Sequence, residues 1–249
     1  MNQLYSQLSE VYAAMYQSFI NYEEEFYFYH QLLVKHHCSS VLEIGCGTGN
    51  LAPQFLAAGF AYAGLDLSDD MLSIAKKNHP SADFYKADMR NFTVPKKTSS
   101  AIITGRTISY LLTNEDVLNA LKSINKNLEK NGVLCFDFIN ANSFIPRIKN
   151  GEEIIHKASH KNKSYQRKSL WTVNLQNGLA FNWASTYYEL KENEELKELG
   201  QDNSVIRTFT KDEFFIFLSL TGFEIKEVLA KDSYAFDTLV IEAQKTSEL

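Results

Sequence analysis

Three cysteines in 249 residues, Cys38, Cys46 and Cys135, are too few and too irregularly spaced for a disulfide framework or a zinc site, so no metal is expected. No stretch approaches the roughly 20 consecutive apolar residues of a membrane span. The opening MNQLYSQLSEVYAAMYQ lacks the basic and apolar regions of a signal peptide. A net charge of -5 provides no general attraction for nucleic acid. Internal repeats and a Gly-Lys-Ser/Thr phosphate loop are also missing. With 45% apolar and 22% charged residues, the composition is that of an ordinary globular protein, large enough for one domain with a sizeable insertion. The expectation is a cytoplasmic protein acting on something small, away from membranes and nucleic acids.

What the sequence does have is rhythm. The first 37 residues read as helix, with Leu4, Leu8, Val11, Met15, Phe26, Tyr29, Leu32 and Leu33 at helical spacing. Short apolar strands then alternate with helices: Val41–Ile44, Ala61–Leu65, Phe84–Ala87, Ala101–Thr104 and Val133–Ile139. Ser68 and Thr113 stand where helix caps belong, and Gly59 where a helix ends. This alternation predicts a parallel sheet covered on both faces. The rhythm breaks between Ser164 and Leu190, where two β-prone runs flank Asn177-Gly178, a hairpin signal. Val205–Thr208 adds a possible strand. The charged Glu189–Leu199 segment reads as a solvated loop or edge, and the basic run from Arg147 to Lys168 as solvated surface. A capping box, Thr210 with Glu213, then restores the α/β pattern, with Phe223–Leu229 and Thr238–Ala243 as closing strands.

These features divide the chain into a helical cap (1–37), a core (38–145), an inserted antiparallel β region (146–208) and a C-terminal helix with the last strands (209–249). The fold class is α/β, with a Rossmann-like, mostly parallel sheet.

The stretch SSVLEIGCGTGN places three glycines within five residues directly after a strand. Glycine lets a ligand approach the main chain and permits positive φ. The spacing is G-x-G-x-G, and Asn50 stands where a dinucleotide loop would have its third glycine. Asp66 ends the second strand, where a carboxylate can accept from vicinal ribose hydroxyls. Asp88 and Met89 follow the third, placed to meet an adenine edge.

Together VLEIGCGTGN, GLDLSDDML, KADMRNF, YLLTNED and LEKNGVLCFDF resemble the successive motifs of the class I S-adenosylmethionine-dependent methyltransferases. The segment RTFTKDEFFIFLSLTGFEIKEV is similar to that family's C-terminal helix and strand. The resemblance implies a seven-stranded sheet with its last strand antiparallel, and S-adenosyl-L-methionine as cofactor. It assigns Gly45 and Gly47 to close approach at the methionine part and Glu43 to orienting the loop and the cofactor's amino group. Asp66 falls at the ribose, Asp88 and Met89 at the adenine, and Gly105 and Arg106 near the methionine end, with Cys46 and Leu67 also among the cofactor-binding residues. By the same likeness, the hydroxyl of Tyr16 or Tyr22 could reach the cofactor carboxylate from a helical lid. Within the class the chain is similar to bacterial small-molecule methyltransferases, amino-sugar N-methyltransferases among them.

The implied reaction is transfer of a methyl group to nitrogen or oxygen of a small-molecule acceptor by in-line displacement. No catalytic base stands out. Arg106, Tyr110 and His30 are the candidates, His30 because its helix could close over a pocket. Asp137 lies within the fifth strand, where it can serve the core, and Asn140 just after it. Trp171, Trp183 and Tyr187 on the inserted hairpin could roof the site or form a homodimer contact. Competing readings are an RNA or protein methyltransferase, a nicotinamide-dependent oxidoreductase, and a non-catalytic cofactor-binding protein.

Overall fold

Helix α1 (Tyr22–Lys35) begins where the Asn21 side chain accepts the N–H groups of Glu23 and Glu24 at 3.1 and 3.3 Å. Three glutamates in its first turn suit the positive end of the helix dipole. Then come β1 (Ser40–Ile44), α2 (Ala52–Ala57), β2 (Ala61–Asp66), α3 (Asp69–Asn78), β3 (Asp83–Lys86), β4 (Thr98–Ile103), α4 (Asn114–Asn127) and β5 (Leu128–Ile139). After the short α5 (Ala141–Phe144), four strands form the insertion: β6 (Glu153–His160), β7 (Lys163–Asn174), β8 (Ala180–Leu190) and β9 (Leu196–Arg207). The chain closes with α6 (Lys211–Leu220), β10 (Phe223–Lys231) and β11 (Thr238–Lys245). This computed structural model describes residues 11, 15, 16, 18–160, 162–176, 178–191, 195–232, 236 and 238–248.

The main sheet has the order β10-β11-β5-β4-β1-β2-β3, with β11 antiparallel to both neighbours and the other pairs parallel. The expected seven strands and reversed last strand are both present. Because side chains alternate across a strand, one strand feeds two cores. Leu42 and Ile44 of β1 pack with Val117 and Leu121 of α4 and Phe214 and Leu218 of α6. Val41 packs on the other face with Tyr29 and Leu33 of α1 and Phe55 of α2. All five residues of β1 are buried, as a central parallel strand requires.

The predicted caps form. Ser68 accepts the Met71 N–H at 3.3 Å, Thr113 accepts that of Asp116 at 3.0 Å, and Thr210 and Glu213 complete the reciprocal box. Three expected element boundaries need correction. The helical reading of the first 37 residues breaks at Ile20 and Asn21, because Asn21 caps a new helix. Strand five starts at Leu128, not Val133, directly after α4. The edge strand β9 spans twelve residues, far more than Val205–Thr208, and takes in the end of the charged Glu189–Leu199 segment.

The insertion is a separate antiparallel sheet of order β6-β7-β8-β9. Asn177 lies outside the described residues, but β7 and β8 pair as a hairpin, with Gly178 at φ 109°. Opposed residues share a face, so Arg167, Ser169 and Trp171 of β7 stand with Tyr187, Ser185 and Trp183 of β8. That face is turned inward. Arg167 is therefore not solvated surface, as the basic run suggested, but 1% exposed, with its guanidinium 5.0 Å from the Trp183 ring. It donates to His156 Nδ1 at 3.3 Å; burial, then the Arg167 charge, push that imidazole down to about 4. Among the described residues, no helix is long and apolar enough to cross a membrane.

Candidate active site

The loop leaving β1 turns because Gly45, Gly47 and Gly49 all adopt left-handed φ, +75°, +53° and +76°. The N–H groups of Gly45 and Cys46 donate to Leu65 O at 2.7 and 3.0 Å, so the loop folds over the end of β2. A Cβ on Gly45 would stand 2.5 Å from Thr107 Cγ2. At Gly47 no atom lies within 4 Å of that position, and the bare backbone faces open space.

Asp66 ties the loop to β2. One carboxylate oxygen accepts the Gly47 N–H and the other the Ser68 N–H, each at 2.8 Å. Burial raises the Asp66 pKa, and these N–H donors partly offset it. Glu43, within β1, accepts the Tyr62 hydroxyl at 2.6 Å and the Thr104 hydroxyl at 3.4 Å. It is 3% exposed, and burial pushes its carboxyl up to about 8 despite those donors.

At the end of β3, Asp88 is clamped by Arg90. Nε donates to Oδ1 at 3.0 Å and Nη2 to Oδ2 at 2.6 Å, while Nη1 reaches Asp116 in the first turn of α4 at 3.0 Å. The guanidinium holds Asp88 below the ordinary carboxylate range. After β4, Gly105 and Arg106 both have positive φ, +63° and +61°. Left-handed backbone is uncommon for arginine. The Arg106 N–H donates to the buried Asp137 carboxylate at 2.6 Å, which fixes the turn. The Arg106 guanidinium lies 4.9 Å from the Phe236 ring.

These strand ends surround a cavity of about 400 Å³. Glu43, Gly45, Cys46, Gly47, Asp66, Leu67, Asp88, Met89, Gly105, Arg106, Tyr16 and Tyr22 all line it, as does Tyr110. Tyr5 and Tyr12, which precede Tyr16 and Tyr22 at near-helical spacing as further lid candidates, lie outside the described residues. His30 is a correction: it does not line the cavity, because its face of α1 packs the ring against Phe26 at 4.9 Å and Phe60 at 5.6 Å. Asp137 is a structural anchor, and Asn140 caps α5 through the Asn142 N–H. Of the three hairpin aromatics, Trp183 lines the cavity, whereas Trp171 and Tyr187 pack behind it.

Among the lining residues that sequence reasoning missed are Glu25 of α1, Ser109 after β4, Ser204 of β9 and Phe236. They come from separate elements with no common spacing. Ser109 is 1% exposed, and its hydroxyl has no hydrogen-bond partner among the described residues. A buried hydroxyl without a partner calls for an explanation, and a cavity wall offers a ligand.

The arrangement has known counterparts. Residues 41–132 match the family described as a methyltransferase domain. The matched segment, rather more than a third of the chain, is thus similar to methyltransferase domains. Over 96 residues it is 38% identical to a Streptomyces venezuelae dTDP-3-amino-3,4,6-trideoxy-alpha-D-glucopyranose N,N-dimethyltransferase, covering 39% of this chain and 40% of that one. The match thus spans about two-fifths of the relative's length. Two solved structures share the methyltransferase fold nearly end to end. Streptomyces venezuelae DesVI superposes with a TM-score of 0.81 at 23% identity, over 96% of this chain and 98% of that one. CalS10, described as an amino pentose methyltransferase from Micromonospora echinaspora, gives 0.78 at 20% identity, over 95% and 97%.

Proposed function

We propose that this chain transfers a methyl group from S-adenosylmethionine to an amine nitrogen of a small, polar acceptor, an amino sugar carried on a nucleotide being the class that fits best. The carrying observation is the joined geometry of Gly47 and Asp66. An open glycine backbone and a carboxylate pinned by two N–H groups stand at adjacent strand ends on one cavity wall. Open α/β sheets bind ligands at the C-terminal ends of such strands.

The residues suit the cofactor. Gly47 and Gly105 leave room where a Cβ would project into the cavity. Asp66 accepts from the ribose hydroxyls while its backbone donors hold the carboxylate still. Asp88 accepts from the adenine amine, with Leu67 and Met89 flanking the ring. Gly45, Cys46 and Arg106 close around the methionine end, Glu43 orients that end from beneath, and Tyr16 and Tyr22 cover it.

Bound S-adenosylmethionine supplies an electrophilic methyl group on a positively charged sulfur. The chain's task is to align an acceptor lone pair with it and to keep water out. Such positioning contributes roughly 7–11 kcal/mol. Trp183 and Phe236 with Val205 and Ile206 give the acceptor end an apolar wall, and the Ser109 and Ser204 hydroxyls give it polar contacts. Arg106 suits a phosphate or carboxylate on the acceptor.

Titration calorimetry of the purified chain with S-adenosylmethionine, S-adenosylhomocysteine and NAD is the test. Micromolar binding of the first two with NAD silent is expected, followed by methyl transfer to amino-sugar nucleotides. NAD binding with the other two silent would overturn the reading.

A further inference from the structure

Glu25 is a cavity-lining carboxylate that the reading above leaves without a role. It sits in the first turn of α1, its side chain 15% exposed. One oxygen accepts from Lys231 Nζ at 2.5 Å. Lys231 is itself 3.8 Å from Asp137 Oδ2, and its ammonium lies over the Tyr29 and Phe28 rings at 4.8 and 5.3 Å. Lys231 and Asp137 stand behind the cavity wall; Glu25 alone of the three reaches the cavity.

One ammonium thus serves two carboxylates. The Asp137 carboxylate also takes the Arg106 backbone N–H, which carries no charge to balance it. Burial raises the Glu25 pKa against the attraction of Lys231, so a cation brought to its other oxygen favours the ionised form. Arg106 acts on Glu25 more weakly than Lys231 and Asp137 do. Glu25 and Glu43 line the same cavity, and Glu25 is linked through Lys231 and Asp137 to the Arg106 turn. The Ser109 hydroxyl in the same cavity, buried and without a partner among the described residues, independently points to a ligand.

We infer that Glu25 is the ammonium-recognising carboxylate of this cavity. The inference rests on the methyltransferase reading, within which two ammonium groups are available: the α-ammonium of the cofactor's methionine part and the amine of the acceptor. Its link through Lys231 and Asp137 to the Arg106 turn favours the first. Glu25 keeps one carboxylate oxygen for the ligand while the other stays on Lys231. Lys231 and Asp137 are positioning residues, the first holding Glu25 and the second the Arg106 turn.

Glu25→Gln separates the two sources. S-adenosylhomocysteine carries the ammonium, whereas 5′-deoxy-5′-methylthioadenosine lacks the whole amino-acid part. If the cofactor is held, E25Q weakens S-adenosylhomocysteine about tenfold to a hundredfold, the range of a charge-assisted hydrogen bond, and leaves methylthioadenosine unchanged. If the acceptor is held, both nucleosides bind as in wild type, and KM for dTDP-3-amino-3,4,6-trideoxy-alpha-D-glucopyranose rises with little change in kcat. Glu25→Asp keeps the charge and should recover part of either loss, which a purely structural role would not produce. A folded E25Q with unaltered nucleoside affinity and unaltered KM overturns the inference, as does an equal loss for both nucleosides. Wild-type protein that binds neither nucleoside would instead break the methyltransferase reading itself.

Discussion

The two ends of the cavity are built by different rules. The end formed by β1, β2 and β3 uses backbone: left-handed glycines, N–H groups on Asp66, and carboxylates at consecutive strand ends. The end formed by the inserted sheet uses side chains, with Trp183, Val205 and Ile206 supplied by β8 and β9 and Phe236 by the segment before β11. Backbone geometry demands particular residues at particular spacings, because only glycine occupies such turns cheaply. A side-chain wall demands only size and polarity. The first end therefore suits a fixed ligand, and the second can be rebuilt for different acceptors without disturbing the first.

The strongest way to break this comparison is at Asp66. Asp66→Ala removes the proposed ribose acceptor and also releases the Gly47 and Ser68 N–H groups. Affinity for S-adenosylhomocysteine should fall about a hundredfold, by calorimetry, in a protein that still folds. Unchanged affinity would mean that the loop's geometry, and not its carboxylate, holds the nucleoside.

Glu43 gives the next effect, and its sign is fixed. Its carboxyl titrates near 8 in the fold because it is buried, against an ordinary value of 4.5. The folded chain thus keeps a proton that the unfolded chain releases. This contribution to stability is complete below about pH 4.5, declines through the window up to about 8, and is gone above it. Its size is on the order of 2 kcal/mol after allowing for relaxation around a buried group. Glu43→Gln should flatten that part of the melting-temperature profile. A cationic ligand nearby should also expel the proton, so wild-type binding of S-adenosylmethionine near pH 7.5 should release protons, measured by calorimetry in buffers of different ionisation enthalpy. E43Q should release fewer.

Legibility in the sequence follows the same division. Glu43 to Gly47, Asp66 and Leu67, Asp88 and Met89, and Gly105 and Arg106 each stand at the end of an apolar run. A reader who finds the strands finds these residues too. Glu25, Ser109, Ser204 and Phe236 meet only after the sheets fold, and no local pattern joins them. Arg167 shows the limit from the other side. It sits in a run of lysines and arginines, and only the period-two alternation of a paired strand reveals that it points inward. His30 fails for a related reason: a helix that borders a cavity has several faces, and the spacing from Phe26 to His30 puts this ring in the packed one.

The other end of the cavity responds to Trp183→Ala. Removing the indole would open the proposed acceptor wall and should leave the glycine loop untouched. KM for the acceptor should rise about tenfold, with S-adenosylhomocysteine affinity within twofold of wild type. A matching loss of nucleoside affinity would show that the two ends are not independent.

The smallest expected effect is the sharpest test of how the nucleoside end reads its base. Arg90 is half-exposed, so its ion pairs contribute little to stability in water. Its geometry is nevertheless that of a guide: two nitrogens hold the Asp88 carboxylate, and a third anchors to Asp116. Arg90→Ala should therefore cost only about threefold in S-adenosylhomocysteine affinity, within the range of an exposed pair. Selectivity should change more than affinity. A fixed carboxylate accepts from the adenine amine and repels the carbonyl oxygen of the inosine analogue, whereas a carboxylate free to rotate does so less well. In wild type the preference for S-adenosylhomocysteine over S-inosylhomocysteine should be large, and R90A should narrow it. Equal narrowing in Asp116→Asn would trace the effect to the anchor that α4 supplies. A preference that survives both substitutions would place base recognition on the Met89 backbone instead of the Asp88 side chain.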